Sequence, residues 1–226
     1  MNWIKFKDGL STDIGVIVEK LIPVPSPQLK STAFEIPGKD GDFETSDDSY
    51  KPISYAVPLG ISEKTAAAEI ATWLRGSGEL VLSSISNFKY YARVANIEYE
   101  WVSRRLRRAV ANFILQPFKY ERNPKPITLT ASKTIYHPGT RFSLPTIKVY
   151  GAGTVTVGGY ELTVAAAAGE NFVIINSEIQ ECYYDLSTPR NDKVSGEFPR
   201  IDPGPCAVTL GSGITRVDID GNWRWF

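Results

Sequence analysis

The chain offers one imidazole, His137, placed directly before Pro138-Gly139. A general base acts only on a nucleophile brought within reach, and no Gly-x-Ser-x-Gly elbow occurs in the sequence. His137 is therefore expected at a turn or extended entry, as a surface histidine. Two cysteines and one histidine fall short of a four-ligand zinc site of the Cys/His kind. Gly151-Ala152-Gly153 begins like a phosphate-binding fingerprint, but Thr154 to Val157 alternate as a strand instead of opening a helix. Asp40, Asp42, Glu44, Asp47 and Asp48 cluster without the glycine position and terminal bidentate Glu of a calcium loop. Glu178 with Glu181, and Asp218 with Asp220, are carboxylate pairs at strand spacings that give no evident facing acid and base. Arg104, Arg105, Arg107 and Arg108 could track phosphates, although their alternation with Leu106 and Ala109 fits a charged strand edge. Tyr183, Tyr184, Trp223, Trp225 and Phe226 could stack on sugar rings, or pack into a core. No enzyme, metal or cofactor is expected from this set.

Charge narrows the partners. The 226 residues carry 25 Lys plus Arg against 25 Asp plus Glu, and the balance holds in both halves, 14 against 14 up to Phe118 and 11 against 11 beyond it. A protein that finds nucleic acid by bulk electrostatics shows a positive excess, so a free-standing nucleic-acid binder is disfavoured. With 42% hydrophobic residues the chain can bury a core, and 18 Gly with 15 Pro make it rich in turns. No apolar leader and no run near 20 apolar residues is visible, so neither a signal peptide nor a membrane span is expected. Cys182 and Cys206 are expected as separate buried thiols, with no disulfide.

The elements that must position these groups are mostly strands. Trp3 to Phe6, Gly15 to Ile22, Thr32 to Ile36, Tyr50 to Leu59, Glu79 to Ser83, Tyr90 to Glu100 and Leu106 to Phe118 read as strands by alternation or β-branched content. Thr32–Ile36 and Tyr50–Leu59 flank the polar loop Pro37 to Asp42, which predicts a long hairpin. One helix is predicted over about 62–75, with Ser62 as N-cap, Ala66, Ala67, Ile70, Trp73 and Leu74 as its apolar stripe, and Gly76 as its stop. Pro124 and Pro126 mark a boundary. Beyond it, short β runs punctuated by Gly and Pro predict a small β-sandwich.

Several segments, in order and spanning almost the whole chain, resemble the distal tail (Dit) proteins of long-tailed bacteriophages, the siphophages. They are Ile36-Pro37-Gly38-Lys39-Asp40-Gly41, Ala71-Thr72-Trp73-Leu74, Tyr90-Tyr91-Ala92-Arg93-Val94, and Phe113 through Tyr120. Further on come Pro138-Gly139-Thr140, Ser143 through Gly153, Gly196-Glu197-Phe198-Pro199-Arg200-Ile201-Asp202-Pro203-Gly204, and Trp223-Arg224-Trp225. The chain departs from the family pattern at Pro205-Cys206 and at Gly221-Asn222.

The resemblance implies an α+β, predominantly β fold. Residues 1–120 would be a ring-forming N-terminal domain, part β-sandwich and part hairpin, with one helix. Residues 121–226 would be a galectin-like C-terminal β-sandwich. A hairpin at about 36–55 would act as an intersubunit arm, with Pro37, Gly38, Asp40, Gly41, Phe43 and Tyr50 as its contacts. It further implies a structural protein of the virion at the distal end of the tail, in the baseplate or tail tip, assembled in the host cytoplasm. The partners implied are further copies of the chain in a hexameric ring, the tail tube protein, the tail-associated protein and receptor-binding or baseplate proteins, with DNA only as cargo in the lumen and no membrane. The alternative is a carbohydrate-binding receptor-recognition module of a phage tail, with Tyr183, Tyr184 and Trp223 on the glycan.

Overall fold

The computed structural model describes residues 2–61, 67–101, 107–165, 169–185 and 187–226. The chain divides into two compact units, residues 1–122 together with Phe226, and residues 123–225. The fold is α+β and predominantly β. No helix among the described residues is long and apolar enough to cross a membrane.

The first unit contains β1 (Ile4–Phe6), β2 (Gly9–Leu10), β3 (Val16–Val18), β4 (Leu29–Glu35), β5 (Asp42–Tyr50), β6 (Ile53–Ile61), α1 (Ala67–Trp73), β7 (Ser77–Leu82), β8 (Phe88–Trp101) and β9 (Arg107–Glu121). Seven of the strands pair in the order β2-β1-β7-β8-β9-β6-β3, every pairing antiparallel. β6 shows why these residues make strands: Ile53, Tyr55, Val57 and Leu59 are buried while Ser54 and Ala56 face out. β1 and β9 stand three places apart, about 14 Å in a flat sheet. Yet the Phe6 and Phe113 rings meet edge to face with centroids 5.5 Å apart. The sheet therefore curls over until strands that are not neighbours face each other across one core, and a single sheet supplies both walls of a sandwich.

α1 closes one side of that core with Ile70 and Leu74, both buried. Its Trp73 indole Nε1 donates to the carbonyls of Gly9 at 3.1 Å and Phe6 at 3.3 Å. A Cβ on Gly9 would lie 2.5 Å from that indole, so the close approach requires glycine. Ser62 and Ala66 lie outside the described residues.

The expected hairpin needs correction. β4 pairs with β5, so the second strand is 42–50 and not 50–59. β6 belongs to the main sheet, between β9 and β3. The polar run Asp42 to Ser49 reads as a solvated loop because it lacks an apolar alternation, but a ribbon with water on both faces has no buried face to generate one. The turn at 36–41 falls where the sequence placed it, with Gly38 and Gly41 at φ of 82° and 80°.

The second unit contains β10 (Ile127–Leu129), β11 (Lys133–His137), β12 (Thr146–Gly151), β13 (Gly153–Val157), β14 (Tyr160–Val164), β15 (Phe172–Asn176), β16 (Glu181–Tyr183), β17 (Val194–Gly196), β18 (Gly204–Leu210) and β19 (Ile214–Asp220). Two five-stranded sheets, β10-β19-β12-β15-β16 and β11-β18-β13-β14-β17, share one core. Ile147, Val149, Val173, Ile175, Val217 and Ile219 fill it from the first sheet, and Val155, Val157, Leu162 and Val208 from the second. Cys182 and Cys206 are both free and buried, one in each sheet. Burial pushes the Cys182 thiol up to about 11.

Gly151-Ala152-Gly153 is the step by which the chain leaves one sheet for the other. A Cβ on Gly151 would sit 2.1 Å from the Gly213 carbonyl oxygen, in a backbone with φ of 95°. Gly159 has nearly the same φ, 91°, in open space. Gly159→Ala is expected to cost about 1–3 kcal/mol of backbone strain, and Gly151→Ala clearly more because a backbone collision is added. Urea unfolding of both variants measures the difference; equal losses would mean that the 151/213 contact is not tight.

Candidate assembly surface

β4 and β5 form a two-stranded ribbon whose residues from 29 to 48 are all exposed. The register divides its side chains into two faces. Thr32 opposite Thr45 and Phe34 opposite Phe43 lie on one, with Ile36 continuing it into the turn. Ala33 opposite Glu44 and Glu35 opposite Asp42 lie on the other. Phe34 and Phe43 are 53% and 54% exposed, and Ile36 44%. Burying what remains of each Phe would contribute about 1 kcal/mol or more. An apolar face of this kind, held out in water with no core of its own, is the form of a binding surface.

The predicted arm residues fall at three places. Pro37, Gly38, Asp40 and Gly41 make the tip turn, and Phe43 stands on the apolar face. Tyr50 is at the base, where its ring meets Phe118 at 5.6 Å and Phe226 at 5.2 Å, so it anchors the ribbon within the first unit. Phe34 was not among the predicted contacts; its signal was the alternation of Thr32, Phe34 and Ile36. Near the base the ribbon carries an irregularity at Asp47-Asp48-Ser49, with Asp48 at φ of 60°. The Ser49 hydroxyl and N–H both donate to the Asp47 carboxylate and hold its carboxyl below the usual range.

The residues proposed for a glycan are dispersed. Trp223 is buried against His137, with ring centroids 4.4 Å apart, and cannot stack on a sugar. The tryptophan seals the end of the core, a role its sequence position does not reveal. Tyr183 and Tyr184 are half-buried. Tyr184 stacks on Phe172 at 4.6 Å, and Lys148 Nζ lies over the same Phe172 ring at 3.7 Å. Tyr150 carries Lys148 at 5.1 Å and Arg216 at 5.0 Å. Cations and a tyrosine thus lie against the Phe172 and Tyr150 rings.

The remaining candidates are also engaged. Burial pushes the Asp218 carboxyl up, but hydrogen bonds from Arg216 and Thr128 outweigh it and hold the group below its ordinary value. Arg108 pairs with Glu19 at 2.8 Å; Arg104 and Arg105 lie outside the described residues. His137, expected on the surface, is instead 1% exposed at the end of β11. Alternation explains the burial, since Ile135 and His137 share the inward face of that strand.

No family model matches the sequence, and no curated protein matches it. In its three-dimensional form the chain has the fold of a phage distal tail protein. It is similar to the crystal structure of Dit (gp 19.1) of phage SPP1, described as a paradigm of the hub adsorption apparatus in phages that infect Gram-positive bacteria. The TM-score is 0.72 at 14% identity, over 97% of this chain and 98% of that one.

The buried imidazole predicts a pH dependence. Burial lowers the His137 pKa below its ordinary 6.5, and the Gly139 N–H donates to Nδ1, which suits the neutral ring. The unfolded chain then binds the proton more tightly than the folded one. The stability this contributes is fully present above pH 6.5 and falls as pH drops below it toward the folded value. His137 is the chain's one histidine. Unfolding free energies between pH 7.5 and 5.5 should therefore decline for the wild type, and decline less for His137→Gln; matching slopes would refute the assignment.

Proposed function

We propose that the chain is a structural hub of a phage tail tip or baseplate, assembled as a ring of six copies. In this reading the ring joins the tail tube protein on one side to tail-associated and receptor-binding proteins on the other. The observation that carries it is the likeness to SPP1 Dit over essentially the full length of both chains. The ribbon of β4 and β5 supports it: a ring of identical subunits needs a heterologous contact that closes on itself, and an exposed two-faced arm provides one half of such a contact. Neutral net charge agrees with a hub whose partners are found by shape and strand pairing, and whose lumen must let DNA pass without gripping it.

Within this reading the apolar face of the arm is covered by a neighbouring copy. Replacing residues 31–46 with a short Gly-Ser link should turn the purified ring into monomers on light scattering. The melting temperature of those monomers should stay within a few degrees of that of wild-type monomers, because the excised residues are exposed and contribute nothing to the core. Negative-stain images of the wild type should show six-fold rings with a central hole. A ring of another order would overturn the six-copy reading, and an unaltered ring after the replacement would overturn the assignment of the arm.

A further inference from the structure

Among the described residues no ion pair engages Glu35, Asp42 or Glu44 on the acidic face of the arm. Residues 29–50 hold six carboxylates, Glu35, Asp40, Asp42, Glu44, Asp47 and Asp48, against Lys30 and Lys39, in a chain whose total is zero. Glu35 and Asp42 are direct cross-strand partners, with Glu44 two residues along on the same face. Like charges opposite each other weaken a strand pair by about 0.2–1 kcal/mol. Such a pair is retained at little cost when a cation from elsewhere sits between the two groups.

Charge selects where that cation is. A groove of about 320 Å³ crosses the outer face of β7, β8 and β9, lined by Ser77, Gly78, Tyr91, Arg93, Ile114 and Gln116. Arg93 is exposed between Ser77 and Ile114 and has no carboxylate partner among the described residues. Lys7 instead packs along Gly78 on the other face of β7, the face Gly78 shares with buried Ala92, and donates to the Arg75 carbonyl. Glu79, two residues along β7 from Ser77 and so on the same face, is already paired with Lys89. Among the residues that line the groove Arg93 is the one cation, and none is a carboxylate. The groove at the far ends of β6, β8 and β9 is the reverse, with Glu19, Glu98 and Glu100 against Arg108, and would repel the arm. The groove beside Pro25, Gln28 and Lys51 lies at the arm's own base.

We propose that the acidic face of the arm, Glu35, Asp42 and Glu44, docks on the Arg93 groove of the next copy. This rests on the ring reading above and names the surface that receives the arm. The contact is heterologous, arm to groove, so each copy gives one and takes one, and the chain of contacts closes when the ring is complete.

The test uses two full-length variants, Arg93→Glu and the arm double variant Glu35→Lys/Asp42→Lys. Each alone should require roughly tenfold or more protein to reach half-assembly, the scale of a lost interfacial charge pair. Mixed in equal amounts, they should recover rings in which the two alternate, because every arm then meets a groove of opposite charge. Recovery on mixing also shows that both variants are folded. If either variant assembles like the wild type, or if the mixture stays dissociated while both variants melt as the wild type does, the docking is wrong and the ring reading stands. A wild type that remains monomeric at all concentrations overturns both.

Discussion

The contact between Phe6 and Phe113 is what makes one sheet sufficient for the first unit. A β-sheet with one apolar face must bury that face against something, and most small β domains use a second sheet or several helices. Here strands three places apart turn toward each other, and the helix has only to cover one side with Ile70, Trp73 and Leu74. The short strands β2 and β3 are left at the ends of the path, where few backbone groups are exposed for stray pairing. Because the core closes without them, the residues from 29 to 50 are free to extend into solvent.

That separation between what folds and what reaches out gives the two-faced ribbon its meaning. An isolated hairpin is marginal in water. This one is held at its base by Tyr50 among Phe118 and Phe226, and its register is pinned by the Phe34/Phe43 and Thr32/Thr45 pairs. The second unit obeys a more ordinary economy, two sheets with interleaved Val, Ile and Leu. Its glycines at 151, 153 and 213 sit where chain segments cross too closely for a Cβ.

Strands with one buried face were legible from the sequence, because burial writes a period of two into β6, β8, β9, β12, β13, β15 and β19. The helix was legible through Ile70, Trp73 and Leu74. β5 was not, since a strand wet on both faces has no reason to alternate hydrophobicity. The fates of His137 and Trp223 were hidden for a different reason: an aromatic residue next to a Pro-Gly turn or near a chain end looks exposed until the tertiary fold brings the two rings together. The function class rested on ordered short segments that resemble a family, and the fold bears out that likeness at an identity too low for the sequence alone to carry it.

A two-stranded ribbon has two open edges, and each can recruit a further strand from another molecule. Paired phenylalanines along such a ribbon would ordinarily make it a seed for open-ended sheet growth. The carboxylates at 35, 42 and 44 place repulsion on the same short strands, and Pro37 interrupts the turn. They act as gatekeepers. The acidity of the arm thus opposes the stacking of free chains into fibrils even though its other face is apolar.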